Sequence, residues 1–167
     1  LLVVSNHPGA YDSVAIASCI PRRDLKIFLF EVPFFRAMPN ASRWYLYATD
    51  DPMGRMTALR ATIRHLQAGG SVLLFGTGII EPDPALGPGA ITELGHWSRS
   101  IEIIMRQVPG IRLVLAAASG IMMPVFVNTP LRLIRKKPVD RRRVTEYLQV
   151  ITQMVFPRRF DVTVRLS

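Results

Sequence analysis

Short hydrophobic runs alternate along this chain with longer segments in which apolar residues recur every three or four positions. The short runs are typical of strands buried on both faces, and the longer segments are typical of amphipathic helices. Strands separated by helices predict a single α/β domain over residues 1–167, with a mostly parallel central sheet flanked by helices. The predicted strands cover residues 1–5, 25–31, 44–49, 71–75, 111–118 and 160–166.

The clearest predicted helix follows the third strand. Asp51 is a suitable capping residue and Pro52 suits the first helical position, while the pair Gly69-Gly70 ends the apolar periodicity. Further helices are predicted over residues 12–20, 90–108 and 139–156. Residues 32–43 are expected to be irregular or helical, and residues 76–89 to form a Gly/Pro-rich loop.

Residues 113–131 form an uncharged hydrophobic stretch that is long enough to cross a bilayer. The pair Ser119-Gly120, then Pro124, and then residues 128–130 interrupt it, and residues of these types break a continuous helix. The pattern therefore predicts a buried strand followed by a short segment, and not a membrane-spanning helix.

The chain is basic, with 21 Lys and Arg against 12 Asp and Glu and a formal net charge of +9. Residues 130–167 hold ten of these basic side chains and three of the acidic ones, so the excess belongs to the C-terminal end. A basic region suits nucleic acid, an anionic membrane surface or acidic substrates. No nucleic-acid motif accompanies it, so we expect no nucleic acid; an anionic membrane surface and a solvated face stay open.

Cysteine and metal chemistry are not expected. Cys19 is the only cysteine of the sequence, which excludes an intramolecular disulfide and a zinc site built on paired cysteines. No cluster of His, Asp and Glu has the spacing of a metal site. The chain does not begin with Met, and Leu1 opens an apolar run, so we expect a preceding segment to be missing.

The strongest candidate for catalysis lies just after the first predicted strand. His7 ends that strand and Asp12 opens the next helix, and Pro8-Gly9 supplies a bend that can bring the two side chains together. A carboxylate behind an imidazole orients it as a general base for a hydroxyl proton. The alternative is that His7 only caps the helix or bonds a loop carbonyl.

Asn6-His7-x4-Asp12 after an apolar strand resembles the HX4D motif of the glycerolipid acyltransferases, which act in phospholipid biosynthesis. Residues 66–78 resemble the helix end, strand and F-P-E-G loop of that family, and residues 161–167 resemble its closing strand. The resemblance implies a glycerolphosphate-acyltransferase-like fold in which His7 is the base and Asp12 its partner. It also implies acyl-CoA or an acylated carrier protein as the donor substrate, with no permanently bound cofactor.

The chain departs from the family at positions that contact the acceptor. Thr77 stands where the F-P-E-G loop has Glu, Ile80 where an Arg follows, and Gly87 near a usual Lys. Glu81 and Asp83 follow in the Pro-rich loop; either could replace the lost carboxylate, but we expect both to be solvated.

Several residues remain candidates for the acceptor or oxyanion site. Backbone N–H groups around Thr77 and Gly78 could stabilise the oxyanion of a thioester under attack. Asn6 is included because it adjoins His7, and Arg55 and Arg60 are the candidates for binding an anionic group.

These features predict an acyltransferase that moves a fatty acyl group from a thioester to the hydroxyl of a lipid-like acceptor. It would act at the cytoplasmic face of a membrane, either peripherally or through an anchoring segment outside this sequence. Two alternatives stay open: a lipid-binding or membrane-docking module of the same fold without catalysis, and a thioester hydrolase that uses the same His-Asp pair on water.

Overall fold

The computed structural model describes residues 1–167, with the exception of the side chain of Phe34. Its strands are β1 (Leu2–Ser5), β2 (Leu25–Phe30), β3 (Tyr45–Ala48), β4 (Ser71–Phe75), β5 (Leu113–Ser119) and β6 (Thr163–Leu166). Across the described backbone they form one sheet in the order β3-β2-β4-β1-β5-β6. β1 to β5 pair in parallel and β6 is antiparallel to β5. The predicted α/β fold with a mostly parallel sheet is confirmed.

The helices lie between the strands. They are α1 (Asp12–Cys19), α2 (Pro33–Arg36), α3 (Pro39–Ser42), α4 (Pro52–Gln67), α5 (Gly89–Glu93), α6 (Ser100–Gln107), α7 (Pro124–Val127) and α8 (Pro138–Val155). Short 3₁₀ helices cover Pro84–Leu86, Leu94–His96 and Pro130–Ile134. The Asp51 side chain accepts a hydrogen bond from the Gly54 N–H (2.7 Å), which is the capping role that the sequence predicts for it.

The central strands are buried on both faces because helices cover each side of the sheet. Val3 of β1 packs in one core with Ile16 of α1, whereas Leu2 packs in a second core with Leu66 of α4 and Ile104 of α6. Successive side chains of a strand point to opposite faces, so a strand between two cores must be apolar throughout. This is why the continuous apolar runs of β1 and β4 form the centre of the sheet.

The structure breaks the predicted helix 90–108 into α5, a 3₁₀ turn and α6. The break lets the Trp97 ring pack against Gly76, and the Ser98 N–H donates to the Gly76 carbonyl at 2.7 Å. The hydrophobic stretch 113–131 is divided among β5, α7 and the start of a 3₁₀ helix. Among the described residues, no helix combines the length and hydropathy that crossing a membrane requires.

We expect Gly76→Ala to destabilise the fold by about 1–3 kcal/mol, since a methyl group would force the Trp97 ring to move. A Cβ built on Gly76 would lie 2.2 Å from that ring. Gly95→Ala is the matched control, because a Cβ there meets nothing within 4 Å. Urea denaturation of the three proteins measures the difference; equal stability of both variants would contradict the packing argument.

Candidate active site

His7 and Asp12 meet at the carboxyl end of β1. His7 Nδ1 lies 2.8 Å from Asp12 Oδ2, and the Gly9 N–H donates to the same oxygen at 3.1 Å. Asp12 is fully buried at the start of α1, whereas the His7 side chain stays 22% exposed. The turn at Pro8-Gly9 thus brings together the two side chains that the sequence singled out.

The imidazole is held in one orientation. Its Nδ1 is bound to Asp12, and its ring stacks on Phe75 at the end of β4, with centroids 4.3 Å apart and planes 24° from parallel. Nε2 makes no hydrogen bond to any described group of the protein. With Nδ1–H donating to the carboxylate, Nε2 carries the free lone pair and can accept a proton from a ligand.

The surroundings raise the pKa of His7 above its ordinary 6.5. Burial lowers the pKa, but the hydrogen bond and charge of Asp12, together with the charges of Glu146 and Glu81, outweigh burial. The pKa of Asp12 is likewise raised, in this case by burial. Its hydrogen bonds to His7 and to the Gly9 amide oppose that shift. A raised pKa makes the neutral imidazole a stronger base.

Glu81 is buried beside this pair, with only 2% of its surface exposed, so the expectation that it is solvated is wrong. The Thr77 hydroxyl donates to Glu81 Oε1 at 2.7 Å, and the Glu81 N–H donates to the His7 carbonyl at 2.7 Å. Oε2 is buried without a partner among the described groups. Burial raises the pKa of Glu81, opposed by the hydroxyl and amide of Thr77.

Asp83 is also buried, and the expectation of a solvated side chain is wrong for it too. Its Oδ1 accepts from the amides of Ala85 and Gly120 (2.9 Å each), and its Oδ2 accepts from the amide of Met122 (2.8 Å). These bonds tie the loop after β4 to the segment after β5, which explains why a carboxylate lies buried in a Pro-rich loop.

Sequence reasoning missed Glu146 on α8. Burial raises the pKa of Glu146, and the interaction with His7 opposes this shift. The neighbouring helix residues Arg142 and Thr145 line the cavity described next. The available signal was a polar stripe at helical spacing on α8 (Arg142, Thr145, Glu146 and Gln149).

A cavity of about 480 Å³ opens at Pro8, the residue after His7, and His7 itself is not among the residues that line it. Its lining includes Pro8, Glu81 and Met122, together with the basic residues Arg132, Arg141 and Arg142. Arg142 donates to the Ile80 carbonyl (2.9 Å) and pairs with Glu93 (3.1 Å). Arg141 Nε donates to the Arg135 carbonyl at 2.7 Å. Neither Arg132 nor Arg141 forms an ion pair with a described carboxylate, so Arg132 and the terminal nitrogens of Arg141 can bind an anionic ligand.

Asn6, Thr77 and Gly78 are further residues that the sequence predicts for the site. Asn6 is buried with its amide bonded to the carbonyl and the N–H of Ala118 (2.8 Å each), so it joins β1 to β5. The Thr77 backbone amide interacts with Glu81, and Gly78 is exposed with a φ of +70°.

Arg55 and Arg60 are exposed on α4 and are not among the residues that line the cavity. The Arg55 guanidinium donates to the Asp50 carbonyl at 2.8 Å. α4 begins at the end of β3, three strand positions from β1, or about 14 Å at the usual strand spacing. The structure therefore does not bring these two arginines to the His7 pair.

No protein-family model, no curated protein and no solved structure matches this chain. The resemblance to the glycerolipid acyltransferases therefore stays a prediction that rests on the residues quoted above. Among the described residues, no group of three or more His, Cys, Asp or Glu side chains is arranged to hold a metal ion.

Asp12→Asn should lower the pKa of His7, because it removes the largest influence that opposes burial. Since the pKa of folded His7 exceeds 6.5, protonation of His7 stabilises the parent protein fully below pH 6.5. That stabilisation is lost as the pH rises through the folded pKa. NMR titration of the imidazole measures the shift, with Asp24→Asn, an exposed carboxylate paired with Arg22, as the control. An unchanged His7 titration in Asp12→Asn would contradict the assigned cause.

Proposed function

We propose that the protein transfers an acyl group from a thioester to a hydroxyl acceptor, with His7 as general base and Asp12 as its orienting carboxylate. The observation that carries this proposal is the 2.8 Å contact between His7 Nδ1 and the buried Asp12. Pro8 and Glu81, which adjoin His7, line a cavity of substrate size. A general base that is oriented by a carboxylate requires this contact, so the contact supports the proposed role of His7.

In the proposed reaction, Nε2 of His7 takes the proton of the acceptor hydroxyl while the hydroxyl oxygen attacks the thioester carbonyl. The tetrahedral intermediate collapses when the carbon–sulfur bond breaks, and the imidazolium returns its proton to the departing thiolate. Asp12 holds Nδ1–H and stabilises the imidazolium between these two steps. An ester and a free thiol are the products.

The arginines of the cavity suit an anionic group on the acceptor or the donor. Arg132 and Arg141 line the same cavity as Glu81. Arg142 binds the carbonyl of Ile80, the residue that stands where the resemblance expects Arg. We propose that α8 and the segment before it supply the positive charge that is missing at Thr77, Ile80 and Gly87.

A thioester hydrolase remains the second candidate because of Glu81. This carboxyl lines the cavity, has a buried Oε2 without a described partner, and has a raised pKa. A carboxyl with these properties can serve as the second catalytic acid that water attack on a thioester would use. Thiol release that does not respond to any added hydroxyl acceptor would favour the hydrolase.

His7→Ala should lower thiol release from acyl-CoA by about 10²- to 10⁴-fold, the usual contribution of a general base. In the parent protein the rate should rise with pH with a midpoint above 6.5, because only neutral His7 accepts the proton. A thiol-reactive dye measures release, and His96→Ala, at a 74% exposed histidine, is the matched control. Full activity in a folded His7→Ala protein would end the assignment.

Arg141→Gln should raise the KM for an acceptor that bears a phosphate by about tenfold, the value of one charged hydrogen bond, and leave kcat nearly unchanged. Arg143→Gln is the control, since Arg143 is exposed and pairs with Asp140. Steady-state kinetics with glycerol 3-phosphate and with glycerol measure both constants. Equal changes for the two acceptors would contradict a role in binding the anionic group.

A further inference from the structure

Helix α8 buries two polar side chains. Thr145 and Gln149 are its buried residues. The Gln149 amide donates to the Ile121 carbonyl (2.7 Å) and accepts from the Met123 N–H (2.8 Å). A helix at the surface of a globular domain ordinarily buries an apolar stripe, whereas the two most buried residues of α8 are polar.

The outer face of α8 is apolar. Tyr147, Ile151 and Met154 follow one another at steps of four and three residues, which places them on one side of the helix. They are 64%, 59% and 80% exposed. Val155 and Phe156 continue the exposed apolar surface at the end of the helix.

The 3₁₀ segment Pro130–Ile134, which packs against α8, adds to this exposed apolar area. Leu131, Leu133 and Ile134 are exposed there, and Ile134 is 74% accessible. We call these residues, with Tyr147, Ile151 and Met154, the C-terminal apolar surface. Large exposed apolar areas with a polar rim mark contact sites for proteins or membranes.

Basic side chains adjoin this surface. Arg135, Lys136 and Lys137 follow Ile134 directly and are exposed. None of the three forms an ion pair with a described carboxylate, and the nearby Asp140 lies 3.9 Å from Arg143. Aliphatic side chains beside unpaired bases are the composition that binds an anionic lipid surface, where the former enter the acyl region and the latter contact headgroups.

We propose that the C-terminal apolar surface docks on an anionic lipid bilayer, with Leu133 and Ile134 inserted and Arg135, Lys136 and Lys137 at the headgroups. Charge complementarity selects this occupant. A second copy of the chain would bring an equally basic region against this one, and a nucleic acid would leave the aliphatic side chains without a role.

The docking surface and the cavity are formed by the same elements of the fold. Arg132 lies within the 3₁₀ segment and Arg141 within α8, and both line the cavity that Pro8 and Glu81 also line. A docked bilayer therefore lies against the same elements that form one wall of the cavity. Entry of lipid acceptors or acyl chains into the cavity from that bilayer rests on the proposed function, whereas docking itself does not.

The experiment is co-sedimentation of the full chain with vesicles of phosphatidylcholine alone or mixed with phosphatidylglycerol. The expected result is binding to the anionic vesicles that weakens as salt is raised. Leu133→Ser with Ile134→Ser should reduce that binding by about tenfold or more, from the lost apolar insertion. Lys136→Gln with Lys137→Gln should reduce it and make it less sensitive to salt.

Met53→Ser with Met56→Ser is the matched control, because both methionines are exposed on α4, which packs against β3, β4 and α6. This control should bind like the parent, and thermal unfolding should show that all variants fold. His7→Ala should also bind like the parent, so failure of the acyltransfer proposal would leave this result standing.

Three results would overturn the proposal. The first is parental vesicle binding by the Leu133→Ser, Ile134→Ser protein, which would reveal only a general affinity for polyanions, nucleic acid included. The second is no binding to anionic vesicles by a folded parent protein. The third is self-association that disappears in the same double variant, since a second copy would then be the occupant of the surface.

Discussion

The hydrogen bond between His7 Nδ1 and Asp12 Oδ2 constrains the whole carboxyl edge of the sheet. His7 can reach Asp12 only if the chain turns sharply between β1 and α1, and this turn is packed closely. A Cβ on Gly9 would lie 3.1 Å from the sulfur of Met122, so the backbone passes directly against the segment after β5. The Asn6 amide fixes the other side of the turn by bonding both backbone groups of Ala118. Strand, turn and neighbouring loop are thus positioned together.

Carboxylates from three parts of the chain surround His7, and their burial defines the character of the site. Asp12 comes from α1, Glu81 from the loop after β4 and Glu146 from α8, and burial raises the pKa of each. Asp12 Oδ1 and Glu81 Oε2 are both buried without a described partner. A buried oxygen without a hydrogen bond lowers the stability of the fold. Such oxygens occur at binding sites, where a ligand can supply the missing hydrogen bond. A hydroxyl or a water bound beside Glu81 would supply the missing hydrogen bond.

The sheet and the His-Asp pair were predictable from the sequence because both depend on local patterns. The apolar runs of β1 and β4 are recognisable without reference to distant residues. Pro8-Gly9 predicts the turn that brings His7 to Asp12. The rest of the site depends on contacts far apart in the chain. Asp83 is buried because the amides of Gly120 and Met122 reach it, which a Pro-rich loop gives no reason to expect.

Two further features of the structure could not be predicted from the sequence, because they too depend on contacts between residues far apart in the chain. The periodicity of residues 90–108 is continuous, yet the helix breaks where Trp97 packs against Gly76, so a tertiary contact overrides local propensity. The cavity arginines belong to the basic C-terminal region, for which the sequence left an anionic membrane surface and a solvated face open. Part of that charge lines the cavity at Pro8 and Glu81.

Helix α8 links the site to the surface because it takes part in both. Gln149 and Arg142 attach it to the domain by hydrogen bonds, and little of its apolar surface is buried against the core. Hydrogen bonds of this kind contribute about 1 kcal/mol each, less than burial of an apolar stripe would. Glu146 is itself bound by the Ala10 backbone amide, which holds its charge within reach of His7. One helix therefore carries a charge that acts on His7, residues that line the cavity (Arg141, Arg142 and Thr145), and the exposed side chains of Tyr147, Ile151 and Met154.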